Sequence, residues 1–222
     1  MSQRTIVAAH RIARELRRLA PMDVRTGLRV LDPGDERLLL DEERTVVART
    51  VARRRTEFAS GRVLLRTLLG RSVVIPRDPN GAPRLPHGMC GSVAHDHRFV
   101  VAAIGAEPHV RALGIDIEPM TSLDGDVADA ILRADDDTDD PMLAFVLKEA
   151  AYKAWSEPGR PLLDHVDVQL SITGTRFTAA VAPDGRRLSG AFAEVEDRWI
   201  ALVVDGPPDE RSDPVADRSL GR

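Results

Sequence analysis

A helical pattern followed by a run of strand patterns occurs twice along this chain of 222 residues, and that order limits its fold more than any other feature. Residues 35–69 read as helix in two pieces, with Val46, Val47, Val51, Phe58, Leu64 and Leu68 as core candidates. Gly61 is the expected break and Gly70 the expected C-cap. Strand patterns follow at 91–95, 99–104 and 110–118. Residues 142–156 again read as helix, and 166–172, 176–181, 190–195 and 199–204 then alternate as antiparallel strands. The order predicts an α+β fold in which antiparallel sheets pack against helices. Residues 5–19 add a short basic amphipathic helix ending at Pro21, and Asp32-Pro33-Gly34 a turn. Arg71–Ile75 reads as a strand, 76–88 as an irregular loop, 126–133 as helix and 134–140 as loop. The chain divides into an N-terminal half (1–118), a C-terminal half (119–205) and a tail from 206 whose proline and charge predict disorder.

Composition narrows the function classes. A net charge of −4 does not suit a nucleic-acid binder. The single cysteine, Cys90, excludes an internal disulfide, fits a reducing cytosol and reads as an apolar filler at a strand end. No apolar run reaches the roughly 18–20 residues of a membrane helix, and the apolar start is too brief for a signal peptide. The expectation is a soluble cytoplasmic protein. Charge is unevenly placed. Residues 44–71 hold eight arginines against one acid, Glu57, while 121–140 hold eight aspartates against one base, Arg133. A basic face calls for an anionic ligand; the acidic segment suits a cation or a mobile loop.

Arginine supplies every basic residue except two, Lys148 and Lys153, which sit five apart in Phe145-Val-Leu-Lys-Glu-Ala-Ala-Tyr-Lys-Ala-Trp155. Lysine is a compact point charge with a titratable amine, whereas arginine is a planar fork that stays charged. Glu149 and Lys153 share a helix face. One reading makes them a surface pair, the other a carboxylate for a metal and an amine near a phosphate. In Gly114-Ile-Asp-Ile-Glu-Pro119, Asp116 and Glu118 project to one side of a strand while Ile115 and Ile117 face the core. That pattern suits a solvated edge strand, and equally a hard divalent ion such as Mg²⁺. Arg55, Arg62 and Arg66, bordered by Arg54, form a helical stripe that suits phosphates or a solvated face. Ser92, His95 and His97 mark a strand end; His-x-His alone is a poor zinc signal.

Taken in order, these motifs resemble the 4′-phosphopantetheinyl transferases, in particular the larger monomeric type acting on synthetase carrier proteins. The resemblance runs from about Leu31 to Val204, and its best motifs are Gly-Ile-Asp-Ile-Glu and Lys-Glu-Ala-x-Tyr-Lys. It implies a pseudo-dimer of two similar α+β halves with coenzyme A in the cleft between them. Asp116, Glu118 and Glu149 would surround Mg²⁺, Lys153 would neutralise a phosphate oxygen, and Lys148 would join the catalytic set. Ser92 and His95 would contact the nucleotide 3′-phosphate, with Arg54, Arg62 and Arg84 at the adenosine end. The implied reaction moves 4′-phosphopantetheine from coenzyme A to a serine of an apo acyl or peptidyl carrier protein and releases adenosine 3′,5′-bisphosphate. Glu149 or a metal-bound water would take the serine proton. Asn80 stands near Gly81 where relatives carry lysine, leaving Arg77 or Arg84 to substitute. Val146 replaces a small polar residue, and the segment between Glu118 and Phe145 is short. The alternatives are an inactive relative that binds coenzyme A or a carrier protein, and a zinc phosphoesterase using His95, His97 and Asp116.

Overall fold

The computed structural model describes residues 2–156, 159–160, 162–182 and 184–206. The predicted tail therefore lies outside the described residues beyond Gly206. Five α-helices and eight strands are described: α1 (Gln3–Leu19), β1 (Val24–Val30), α2 (Asp41–Val47), α3 (Ala52–Leu69), β2 (Met89–His95), β3 (Phe99–Ala106), β4 (Ala112–Pro119), α4 (Gly125–Ile131), α5 (Pro141–Trp155), β5 (Val168–Thr173), β6 (Arg176–Val181), β7 (Arg187–Glu194) and β8 (Arg198–Asp205). They form an α+β fold with two antiparallel sheets, ordered β1-β3-β2 and β4-β8-β7-β6-β5. Among the described residues no helix is long and apolar enough to cross a membrane.

Strand β3 forms the middle of the N-terminal sheet because both its faces are apolar. Phe99, Val101 and Ala103 pack with Ile12 and Leu16 of α1 and Ile115 and Ile117 of β4. Val100, Ala102 and Ile104 pack with Leu64 and Leu65 of α3. A continuous apolar run is what a strand covered on both sides requires. Its partner β1, which the sequence reading left unassigned, pairs with β3 along its whole length.

One helical and one strand expectation need correction. The break between α2 and α3 falls at residues 48–51, where the Thr50 N–H and hydroxyl both donate to Val47 O and close α2. Gly61 lies inside α3, where a Cβ would come within 3.3 Å of Val93. It serves close packing, not a break. Gly70 does end α3 in the left-handed conformation, with φ 69°. Residues 71–75 form no strand, because side chains occupy the peptide groups a ladder would use. The Ile75 N–H donates to Glu43 at 3.0 Å and its carbonyl accepts from Arg62 at 2.7 Å.

The second sheet wraps around α5. Val146, Leu147, Ala150, Ala151, Ala154 and Trp155 pack against Leu170, Phe177, Ala179 and Leu188, so the departure at Val146 is a core position. Lys148 is also inside, 1% exposed, ion-paired to Asp136 at 2.7 Å and donating to Ile131 O at 2.8 Å. It fastens α5 to the end of α4 and to the segment after it. Polar contacts also tie the sheets together: Ser92 Oγ of β2 accepts from the Ile115 N–H of β4 at 3.2 Å, and Asp96 is paired with Arg198 of β8 at 2.5 Å. The Asp96 carboxylate also accepts from the Arg98 and Phe99 amides, so this buried pair is well satisfied.

Candidate functional site

The site begins with alternation on β4. Ile115 and Ile117 are fully buried, and Asp116 and Glu118 lie on the opposite side. Helix α5 crosses directly over Gly114, where an added Cβ would sit 1.8 Å from the Ala150 carbonyl oxygen. That approach carries Lys153, one turn further along α5, onto the strand. Its Nζ donates to Asp116 Oδ1 at 2.6 Å and to Ile115 O at 3.1 Å. The last turn of a helix favours a cation, and Lys153 sits there. Glu149 hydrogen-bonds to His165 Nε2 at 3.2 Å. Sequence reasoning missed His165, which lies beyond α5 in a segment with no local motif.

The carboxylates here are short of positive charge. Burial pushes Asp116 up even though Lys153 opposes the shift. Burial and the neighbouring Asp116 push Glu118 up to about 7. Burial also acts on Glu149, but the His165 hydrogen bond and the Lys153 charge hold it below the usual range. Asp116 Oδ2 is buried without a hydrogen-bond partner among the described residues. An orphaned carboxylate oxygen beside a carboxylate driven towards protonation suits a hard cation. Among the described residues no three carboxylate, histidine or cysteine side chains converge tightly enough to enclose a metal. Mg²⁺ rarely needs that: one or two carboxylates, water and substrate phosphates are its usual shell. Asp116 and Glu118 fit such a half-open site, with Glu149 near enough to influence both.

A cleft of about 510 Å³ opens beside Glu118 and is lined by Val51, Arg53, Arg54, Glu57, His95, Asp96, His97, Pro119 and Thr121 as well. It joins a carboxylate end to a cationic end. Of the sequence candidates, Arg54 and His95 line it; Arg53, which was not singled out, lines it too. Burial lowers the His95 pKa, Glu57 pulls it back up, and Arg54 and Lys153 lower it further, so the two ends are electrostatically coupled.

The remaining sequence candidates are placed elsewhere or differently. Arg62 is buried under Phe58, with its guanidinium carbon 4.2 Å from the ring centroid, and donates to Ile75 O. Burial brings its pKa down to about 10. Arg66 pairs with buried Glu43, and Arg55 with Glu36. The arginine stripe thus mostly holds α3 to the preceding segments. Ser92 is buried in its bond to β4, and Arg84 is exposed on the 76–88 loop. Asn80 of that loop donates to Ser156 at the end of α5 at 3.2 Å. Lys148 points to Asp136, not to the carboxylates of β4. Among the described residues His95 and His97 join no three-ligand cluster. Burial pushes the Cys90 thiol up to about 11, which keeps it protonated near neutral pH.

Comparison with known proteins identifies the family. Residues 42–105 match the 4′-phosphopantetheinyl transferase N-terminal domain family, a span that includes α3 and β2. The chain is 34% identical over 181 residues to 4′-phosphopantetheinyl transferase PptT of Mycobacterium tuberculosis, covering 72% of this chain and 80% of that protein. It is 35% identical over 194 residues to 4′-phosphopantetheinyl transferase Svp of Streptomyces mobaraensis, covering 75% and 77%. To 4′-phosphopantetheinyl transferase Npt of Nocardia iowensis it is 32% identical over 126 residues, covering 51% and 57%. Identity at this level over most of both chains, in a protein whose Lys153 is bonded to Asp116 beside an arginine-lined cleft, places this chain among the 4′-phosphopantetheinyl transferases, enzymes that transfer a phosphopantetheinyl group.

Proposed function

We propose that this enzyme takes 4′-phosphopantetheine from coenzyme A, transfers it to the serine of an apo acyl or peptidyl carrier protein with Mg²⁺ bound, and releases adenosine 3′,5′-bisphosphate. The observation that carries the reading is the pairing of Lys153 with Asp116, next to a cleft whose far wall holds Arg53, Arg54 and His95. Such a cleft suits a ligand with a terminal phosphate at one end and a pyrophosphate at the other. Arg54 and His95 would anchor the nucleotide phosphate, and so fix the attacked phosphorus in line with the incoming serine. Lys153 would neutralise charge on the departing phosphate, where a fixed cation in a partly buried site is most effective. Glu149, held ionised by His165 and Lys153, would accept the serine proton. Asp116 and Glu118 would hold Mg²⁺, which when bound supplies further charge neutralisation to the pyrophosphate.

The test is direct. Incubated with coenzyme A, Mg²⁺ and an apo carrier protein, the enzyme should raise the carrier's mass by one phosphopantetheine. An unchanged mass across a panel of acyl and peptidyl carriers would sink the reading.

A pH experiment tests the cation site. The Glu118 carboxyl stands near 7 in the folded protein against an ordinary 4.5. Its contribution to stability is therefore fully present below pH 4.5 and is lost as pH rises towards 7. At pH 8 the ionised carboxylate is a liability that a divalent cation relieves. At ten times its pH 8 Kd, Mg²⁺ should raise Tm by about 3–6 °C at pH 8, and the same concentration should give a clearly smaller rise at pH 5.5. Equal shifts at both pH values, read by differential scanning fluorimetry, would place the ion elsewhere.

A further inference from the structure

We propose that Glu57 is a positioning residue, whose sealed carboxylate holds Arg53, Arg54 and His95 together as one outward-facing cationic group that receives the 3′-phosphate of coenzyme A. The proposal rests on the ligand reading above and adds a residue that neither the motifs nor the charge pattern marked as functional. Glu57 is the single acid among the eight arginines of residues 44–71. Its side chain is only 3% exposed, and two guanidinium groups and the His95 imidazole meet on it. Arg53 Nε donates to Oε1 at 2.8 Å, Arg54 Nη1 donates to Oε2 at 2.9 Å, and His95 Nε2 lies 3.4 Å from Oε2.

The geometry separates holding from binding. A guanidinium carries five N–H donors, and each arginine gives one of them to Glu57, leaving the others for a ligand. The arginine side chains are 71% and 66% exposed, so they remain accessible while the carboxylate beneath them is not. Glu57 reaches both through i,i+3 and i,i+4 spacing on α3, which fixes it to the helix and keeps it from swinging aside.

Electrostatics explains why such a holder is needed. Helix α3 has Val51 at its N-cap, with no side-chain cap and no acid in its first turn; three consecutive arginines, 53–55, stand there instead. Cations at the positive end of a helix are unfavourable, and an uncapped N-terminus attracts anions. Without Glu57 the two guanidinium groups would repel each other and fan apart, and the His95 imidazole would lose its partner. Each arginine would then have to be immobilised anew when a phosphate arrived, at a cost in rotamer entropy. One buried negative charge keeps the group assembled while leaving its net charge positive.

The test is calorimetric titration of the full-length enzyme with coenzyme A and with 3′-dephospho-coenzyme A. Wild type should prefer coenzyme A. Glu57→Gln should weaken coenzyme A binding by about tenfold, while changing the affinity for the dephospho compound by less than about twofold. In turnover the loss should fall on the KM for coenzyme A more than on kcat. Equal losses for both ligands would reduce Glu57 to a structural residue, and unchanged or tighter coenzyme A binding would make it a competitor of the phosphate. Either result overturns the proposal. Should Glu57→Gln fail to give a native circular dichroism spectrum, Glu57→Asp keeps the charge but withdraws it by one methylene. It should then lower the preference for coenzyme A by about threefold, and an unaltered preference would overturn the proposal. Wild-type indifference to the 3′-phosphate is a distinct result: it would refute the ligand assignment itself, and the positioning role with it.

Discussion

Lys153→Ala is expected to lower kcat/KM for phosphopantetheinyl transfer by about 10²–10³-fold, the usual cost of losing one preorganised charge-stabilising group. The lysine donates to both Asp116 Oδ1 and Ile115 O, so its amine is fixed before any ligand binds. Removing it leaves Asp116 buried and unpaired, a situation that would destabilise a permanent charge. Burial already pushes the Asp116 carboxyl up, and without Lys153 it would rise further and take a proton. The variant should therefore keep a native circular dichroism spectrum while losing activity. Lys153→Arg should rescue poorly, because a planar fork does not replace a point charge in this space. Full activity in Lys153→Ala would remove the amine from the mechanism.

Gly114→Ala should destabilise the fold by about 3 kcal/mol or more and lower Tm by roughly 6–12 °C. The added Cβ would fall 1.8 Å from the Ala150 carbonyl oxygen and 2.8 Å from the Ala154 amide nitrogen. Both are helix backbone atoms, so no rotamer change relieves the clash. Helix α5 must lift away from β4, and it carries Lys153 and Glu149 with it. Residual activity measured well below the new Tm should thus fall too. A comparable substitution at Gly125, where an added Cβ meets nothing within 4 Å, should spare the fold and serves as the control. Wild-type Tm in Gly114→Ala would show that α5 does not depend on this close approach.

How much of this was legible before folding depended on whether the signal was local. The helix of α5, the antiparallel run β5–β8, the Gly70 cap and the shared side of Asp116 and Glu118 follow from short periodic patterns. Strand β1, Val-Arg-Thr-Gly-Leu-Arg-Val, escaped because Gly27 and two arginines interrupt its apolar residues, and its order rests on pairing with β3. The arginines of α3 looked equivalent in sequence and are not. Arg62 and Arg66 serve Ile75 O and Glu43, whereas Arg53 and Arg54 reach the cleft. The lysines divide the same way, Lys148 inward to Asp136 and Lys153 to Asp116.

By itself the sequence determined which residue types were present and along what period, because backbone geometry converts spacing into a shared face without help from the rest of the chain. It thereby fixed the α+β class and the family. Only the tertiary structure decided which distant charges meet: His165 with Glu149, His95 with Glu57, Lys153 with Asp116. Those encounters join residues up to 38 positions apart, and the last of them depends on how closely α5 can approach β4, which comes down to the missing side chain of Gly114.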